Sequence, residues 1–167
     1  LLRHALAQER KPGLADHQRQ LLDKGLPKLQ RSLGALRRVG FKPDRLVSSP
    51  YLRCTQTARH CLRTFGGDTE IWETLRPQDD GGDIAATAQA LQDWANADSL
   101  TRLTEESLID LLVVGHEPDL SRLCATLVGW PNQLAVPWSL KKSGFALLTL
   151  GAGGFQIAAL ATPKLFP

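Results

Sequence analysis

The chain begins with Leu1-Leu2-Arg3-His4-Ala5, in which two apolar residues lead directly into an arginine and a histidine. A short apolar run of this kind is typical of the end of a buried strand. Ligands of α/β proteins bind at the carboxyl ends of the strands, so the pattern predicts that Arg3 and His4 lie at a binding site. An Arg-His pair is common by chance, and this one gains weight only from two further stretches with the same arrangement.

The second stretch is a short predicted strand over 45–49 that stops at Pro50 and leads into a helix, with Ser49 as the predicted N-cap. Arg53 falls in the first turn of that helix, where free backbone N–H groups and the helix dipole favour an anion. A cation is disfavoured at this end of a helix, so Arg53 is either an ordinary surface arginine or part of an anion site. On local grounds the two interpretations are equally good.

The third stretch is Leu111-Leu112-Val113-Val114, whose four consecutive apolar residues predict a central parallel strand. Gly115 and His116 follow directly, and a helix begins near Pro118. Gly115 has no side chain and therefore lets the backbone approach a ligand closely. A hydrogen-bonded histidine at a strand end would explain His116 on its own, but three strand ends that carry basic residues point to one shared site.

The rest of the chain alternates between helical and extended patterns. This alternation predicts one three-layer α/β/α domain over 1–167, with a mostly parallel central sheet, helices on both faces and an antiparallel hairpin near the end. The further predicted segments are a loop over 8–16, a helix from Leu26 to Gly40, a short strand or extended segment over 71–75, a helix capped by Asp83, a linker or helix end over 98–106, and hairpin strands over 144–150 and 155–160.

Composition excludes several classes of protein. The 167 residues are 43% hydrophobic and 22% charged, which is ordinary for a soluble globular protein. The net charge of +3 is spread along the chain, which argues against nucleic-acid binding and leaves an anionic ligand or an acidic partner open. Without a membrane-length apolar run or a signal peptide, and with three cysteines that lack metal-like spacing, we expect a cytoplasmic protein with free thiols. From the absence of methionine we expect either a trimmed chain or a sequence from which methionines were left out, and in both cases an incomplete first strand. Nothing in the sequence indicates the oligomeric state.

Two histidines among arginines suit phosphoryl transfer. Guanidinium groups bind phosphate oxygens in pairs, and nearby arginines lower the pKa of a histidine, so that its ring stays neutral and nucleophilic. We therefore expect His4 to attack phosphorus and His116 to donate hydrogen bonds to the transferring group, with Arg3, Arg19 and Arg53 binding phosphate. A metal fits poorly, because arginines repel a cation and no His-x-x-x-His spacing occurs, so we expect neither metal nor cofactor.

Three ordered motifs carry a family resemblance over essentially the whole chain. They are Arg3-His4-Ala5, then Ser49-Pro50-Tyr51-Leu52-Arg53-Cys54-Thr55-Gln56-Thr57, then Val114-Gly115-His116-Glu117-Pro118. Together they resemble the histidine phosphatase, or phosphoglycerate mutase-like, superfamily. The short chain and the late Lys141-Lys142-Ser143-Gly144 segment are similar to the small SixA-type phosphohistidine phosphatases within it.

The resemblance implies roles for the candidate residues. By it, His4 accepts the phosphoryl group, Arg3 and Arg53 clamp the phosphate, His116 completes the pocket, and Arg19 matches an additional phosphate-binding arginine. The sequence departs from the family at two places. Ala5 replaces the commoner glycine, and Arg19-Gln20-Leu21-Leu22 stands where Arg-Pro-Leu-Thr is usual, so a hydroxyl is missing there.

The general acid is the least defined part of the site. Larger relatives supply an acidic residue from an inserted helical region, and this chain is too short for such an insertion. Glu73, Asp80 and Asp83 are the candidates, although each is also a plausible helix cap or solvated loop charge. The expected function is therefore a metal-independent phosphatase for phosphohistidine on a signalling protein. The alternatives are a small-molecule phosphomonoesterase and a phosphate-binding docking module without turnover.

Overall fold

The computed structural model describes residues 1–101, 110–133, 135–151 and 153–166. Within these ranges the chain alternates strands and helices, as the sequence pattern predicts. The elements in chain order are β1 Leu2–Arg3, α1 Leu26–Arg38, β2 Pro43–Ser48, α2 Leu52–Phe65, β3 Thr69–Ile71, α3 Ile84–Thr101, β4 Asp110–Gly115, α4 Asp119–Leu127, β5 Phe145–Gly151 and β6 Gly154–Ala161.

The strands form one six-stranded sheet in the order β3-β2-β4-β1-β5-β6. The pairs β2–β3, β2–β4 and β1–β4 are parallel, whereas β5 runs antiparallel to both β1 and β6. This arrangement confirms the mostly parallel sheet with an antiparallel hairpin at one end. Leu2 is paired with Val114 and Arg3 with Gly115, so the residues that follow β1 and β4 emerge side by side at one edge of the sheet.

Two apolar cores lie on opposite faces of the sheet, which confirms the three-layer architecture. One contains Leu112 and Val114 of β4 with residues of α1 and α2, and the other contains Val113 with residues of α3 and α4. Because successive strand side chains point to opposite faces, the continuous apolar run of β4 serves both cores. The three cysteines are free and buried in these cores. None of the helices in the described ranges is both long enough and apolar enough to cross a membrane.

Two predicted segments differ in the structure. The predicted extended segment over 71–75 is strand only to Ile71, and Glu73–Leu75 forms a 3-10 turn. The last ladder bond runs from Trp72 N to the Ser48 carbonyl at 3.0 Å, and since β2 ends there, the following residues have no strand partner. The predicted linker or helix end over 98–106 falls partly on α3, which reaches Thr101, and its remainder lies outside the described residues.

Candidate active site

His4 and His116 meet at the carboxyl edge of the sheet. Their ring centroids are 5.3 Å apart, and the residues are only 6% and 4% exposed. The parallel pairing of β1 with β4 places them there, and the backbone N–H of His4 donates to the Gly115 carbonyl at 3.0 Å. The expectation that two strand ends deliver histidines to one place is thus met by the geometry.

The His4 ring has a defined orientation and tautomer. Its Nδ1 lies 2.7 Å from the Ala5 carbonyl oxygen, which can only accept a hydrogen bond. Nδ1 therefore carries the ring proton, and Nε2 keeps its lone pair. The Ala5 backbone N–H in turn donates to Thr57 Oγ1 at 3.1 Å, and the Thr57 hydroxyl donates to the Arg53 carbonyl at 2.7 Å. Helix α2 thus anchors Ala5, the residue whose carbonyl orients the ring.

Both rings are held neutral. Burial, followed by the charges of Arg53, Arg3 and Arg19, lowers the pKa of His4 to about 3, even though the bond to Ala5 acts in the opposite direction. Burial and then the charge of Arg53 lower the pKa of His116 to about 2. The sequence predicts that nearby arginines keep the histidine rings neutral. In the structure the arginines do lower both pKa values, but desolvation is the larger cause.

Arg3 and Arg53 each have one buried hydrogen-bond donor that is unpaired among the described residues. Arg3 donates from NH1 to the Leu140 carbonyl at 2.7 Å, and Arg53 lies in the first turn of α2 with its guanidinium carbon 4.7 Å from the centre of the Tyr51 ring. The Nε of each is buried without a hydrogen-bond partner among the described residues. Buried donors of this kind are rare, and here they suit an oxyanion.

Arg19 is linked to the same site through Asp16, a residue that the sequence does not single out. It follows the 3-10 turn Asp16–Gln18, and it donates from Nε to the Gln8 carbonyl at 2.6 Å and from NH1 to Asp16 Oδ1 at 2.8 Å. The same Asp16 accepts from Arg53, through its carbonyl at 2.6 Å and through Oδ2 at 2.9 Å. The one local signal for Asp16 is its position three residues before Arg19.

Ser49 is not the N-cap of α2, contrary to the sequence prediction. Tyr51 occupies the cap position without a side-chain cap bond, and the Ser49 Oγ accepts only a long hydrogen bond from the Tyr51 backbone N–H at 3.4 Å. The same Oγ lies 2.8 Å from His116 Nε2. A hydroxyl can donate or accept, so the direction of this bond follows the tautomer of the neutral His116 ring, which carries one N–H. The Tyr51 ring packs edge-on against His116 with centroids 5.1 Å apart, and its O–H donates to the Asp80 carboxylate.

The comparisons with known proteins agree with this geometry. A family model of the histidine phosphatase superfamily (branch 1) matches residues 1–99. The chain belongs to the histidine phosphatase superfamily. The family and the paired histidines among arginines together support a phosphatase activity.

The similarity to known proteins extends over nearly the whole chain. An uncharacterized protein of Picosynechococcus sp. (strain ATCC 27264 / PCC 7002 / PR-6) is 27% identical over 165 residues, which cover 98% of this chain and 90% of that protein. The solved structure of the protein histidine phosphatase SixA complexed with tungstate has a TM-score of 0.79 at 22% identity and covers 98% of this chain and 96% of its own. The alpha-ribazole phosphatase of Shigella flexneri has a TM-score of 0.69 at 18% identity, with 97% and 95% covered. These solved structures share the fold of this phosphatase.

The carboxylates predicted as general acids are not brought to the histidines of this phosphatase. Glu73 is exposed and pairs with Arg76 at 2.6 Å. Asp83 is exposed and accepts from the backbone N–H of Ala86 at 2.9 Å, which makes it the cap of α3. Asp80 comes nearer, through its bond to the Tyr51 hydroxyl. Among the described residues, none of these three carboxylates has a recorded contact with His4 or His116.

Glu117 supports the phosphatase site indirectly. Burial raises its pKa, and its Oε1 accepts from the Leu140 backbone N–H at 2.9 Å and from the Ser121 hydroxyl at 2.8 Å. Leu140 is the residue whose carbonyl accepts from Arg3. Glu117 therefore anchors the backbone of Leu140, whose carbonyl in turn binds Arg3. No group of three or more His, Cys, Asp or Glu side chains in the described ranges is arranged to hold a metal ion.

Proposed function

We propose that this protein is a metal-independent phosphohistidine phosphatase that removes phosphate from phosphohistidine on a signalling protein, with His4 as the covalent acceptor. One observation carries the proposal. The neutral His4 ring donates from Nδ1 to the Ala5 carbonyl and so presents the lone pair of Nε2 beside His116. A docking module requires only the arginines, whereas an oriented neutral imidazole is what nucleophilic catalysis needs.

The reaction proceeds in two displacements at phosphorus. His4 Nε2 attacks the phosphorus atom in line with the scissile P–N bond, a new N–P bond forms on His4, and the substrate imidazole departs. Water then attacks the same phosphorus, the His4 N–P bond breaks, and a proton of that water leaves with orthophosphate. Arg3, Arg19 and Arg53 hold the equatorial oxygens, and His116 stabilises their charge by donating from a ring N–H.

The scarcity of acids among the described residues of the site supports phosphohistidine as the substrate. When its other ring nitrogen is protonated, the substrate imidazole leaves as a neutral molecule, so no protein acid has to protonate it. An alkyl phosphate ester releases an alkoxide and depends on a general acid. Asp16, the carboxylate bonded to the arginines, cannot donate a proton. Burial opposes its ionisation, but the bonds from Arg19 and Arg10 and the charge of Arg53 outweigh burial and hold its pKa well below the usual range.

A small-molecule phosphomonoesterase is the second candidate, and Asp80 is the observation that favours it. Tyr51 contacts His116 and donates to the Asp80 carboxylate, which places one acid at the rim of the site. If Asp80 protonates a leaving alkoxide, its replacement should abolish hydrolysis of alkyl esters and leave substrates with good leaving groups unaffected.

The experiment compares initial rates of phosphate release from a phosphohistidine-bearing protein, p-nitrophenyl phosphate and phosphoserine. The variants are His4→Ala, Asp80→Asn and the neighbouring Asp79→Asn as a matched control. We expect rapid release from the phosphohistidine protein, lost in His4→Ala and unchanged in both aspartate variants. Acid-labile radiolabel from the substrate should appear on the wild type and not on His4→Ala.

Two outcomes would redirect the assignment. Faster release from phosphoserine, lost selectively in Asp80→Asn, would establish the phosphomonoesterase. Orthophosphate binding without turnover of any of the three substrates would establish the docking module.

A further inference from the structure

Asp16 lies at the centre of the arginine cluster. Its Oδ1 is 2.8 Å from Arg19 NH1 and 2.9 Å from Arg10 Nε, and its Oδ2 is 2.9 Å from Arg53 NH2. The side chains of Arg53 and Arg19 are only 4% and 13% exposed and that of Asp16 is 25% exposed, so these two pairs are better shielded from water than a surface salt bridge. One carboxylate thus connects two of the three arginines expected to bind phosphate.

The contact between Asp16 and Arg53 depends on how the loop between β1 and α1 folds against α2. The segment between β1 and α1 closes on itself through the bridge of Ala7 with Leu21 and the bond from Gln8 N to the Gln20 carbonyl at 2.8 Å. Leu21 N also donates to Gln56 Oε1 of α2 at 2.7 Å. The base of this loop is therefore anchored to the helix that carries Arg53, and its tip presents Asp16 to that arginine.

Asp16 occupies the terminal guanidinium donors of Arg53 and not its Nε. Asp16 takes both terminal nitrogens of Arg53, one through its carbonyl and one through Oδ2, while Arg53 Nε stays buried and without a partner in the described chain. Arg19 is held in the same way from two sides, by the Gln8 carbonyl on Nε and by Asp16 on NH1. The carboxylate therefore fixes the planes of both guanidiniums and leaves Arg53 Nε available.

We propose that Asp16 is a positioning residue that orients Arg19 and Arg53 for the phosphoryl group, an inference that rests on the phosphate site of the proposed function. The opposite arrangement would be an internal competitor, a carboxylate that takes the donors a phosphate needs. The two roles predict opposite effects of removing the Asp16 carboxylate on phosphate affinity. Loss of a positioning carboxylate weakens anion binding because the arginines lose their geometry, whereas loss of a competitor strengthens it.

The test measures the dissociation constant of orthophosphate by calorimetry for the wild type, Asp16→Asn and Asp16→Glu. Asp68→Asn is the matched control, because Asp68 precedes β3 and so lies at the opposite edge of the sheet from the site. We expect at least about tenfold weaker binding for Asp16→Asn, since charge-assisted hydrogen bonds of this kind carry that much. We expect Asp16→Glu to recover most of the loss and the control to bind like the wild type.

Two measurements distinguish a positioning role of Asp16 from a merely structural one. For a positioning role, the KM of the phosphohistidine protein should rise in Asp16→Asn by more than kcat falls. In the Arg19→Ala background the effect of Asp16→Asn on phosphate binding should shrink, because the two residues act as a unit. Full additivity of the two substitutions, or a loss confined to the melting temperature, would overturn the inference.

The remaining outcomes are also decisive. Unchanged or tighter phosphate binding in Asp16→Asn contradicts positioning and identifies a competitor. Failure of the wild type itself to bind orthophosphate contradicts the proposed function and removes the basis of this inference, which is distinguishable from a failure of Asp16 alone.

Discussion

Lowering the pH from about 6.5 to about 5 should destabilise this phosphatase, because it buries two histidines as neutral rings. In the unfolded chain an imidazole titrates near 6.5, whereas burial and the nearby arginines lower the pKa values of His4 and His116 to about 3 and about 2. Between these values the unfolded state binds two protons that the folded state does not. The free energy of unfolding therefore falls as the pH falls through this window.

The magnitude follows from the linkage relation. Each such proton costs about 1.4 kcal/mol per pH unit once the unfolded ring is fully protonated. Because that ring is only half protonated near pH 6.5, a drop of about 1.5 units costs about 1.7 kcal/mol for each histidine and about 3 kcal/mol for both. A domain of this size is stable by only about 5–15 kcal/mol, so the change is large. Asp16 lies outside this window, because its lowered pKa acts at more acidic pH. Glu117, whose pKa is raised by burial, acts above 4.5 with the opposite sign and offsets part of the loss.

Urea denaturation at the two pH values measures the effect in the wild type, His4→Gln and His116→Gln. The exposed His17, replaced by Gln, is the control. Each site variant should lose about 1.7 kcal/mol of the pH dependence, and the control should keep all of it. Equal unfolding free energies of the wild type at both pH values would refute the reasoning. So would a His4→Gln variant that retains the full pH dependence.

Two further predictions concern local contacts. Ser49→Ala removes the hydroxyl that lies 2.8 Å from His116 Nε2. The loss of about one hydrogen bond should lower kcat about tenfold in steady-state assays. An unchanged kcat would show that this bond does not orient the His116 ring. Gly25→Ala places a Cβ 2.6 Å from Leu6 Cβ and 3.1 Å from its backbone nitrogen, which should cost about 1–3 kcal/mol in the unfolding free energy. Gly34→Ala in α1 places its Cβ 3.7 Å from Arg38 NH1, an ordinary contact, and should instead stabilise by about 0.5–1 kcal/mol. Equal melting temperatures for the two variants would contradict both expectations.

The strand ends of the site are predictable from the sequence because they follow from local patterns. An apolar run that ends in Arg3-His4, another that ends in Gly115-His116, and a helix whose first turn contains Arg53 are each read from a few adjacent residues. Parallel pairing then brings the strand ends together by the general rule for α/β sheets.

The identity of a capping or acidic residue is less predictable, since the same side chain can serve several local roles. Ser49 has a sequence typical of an N-cap and is instead the partner of His116. Asp83, a candidate acid, is a helix cap, and Glu73 pairs with Arg76 on the surface. Which of these roles is realised depends on neighbours that are distant in the chain.

By itself, the sequence determines the fold class, the order of the strands and helices along the chain, and the residue types at the ends of the site strands, because periodicity and capping act over a few residues. Tertiary structure alone decides that Asp16 joins Arg19 to Arg53, 37 residues beyond it, and that Ser49 meets His116 across 67 residues. It also decides that burial, more than charge, keeps both histidines neutral. Desolvation and long-range contacts depend on how the elements pack in three dimensions, and no local pattern in the chain records that packing.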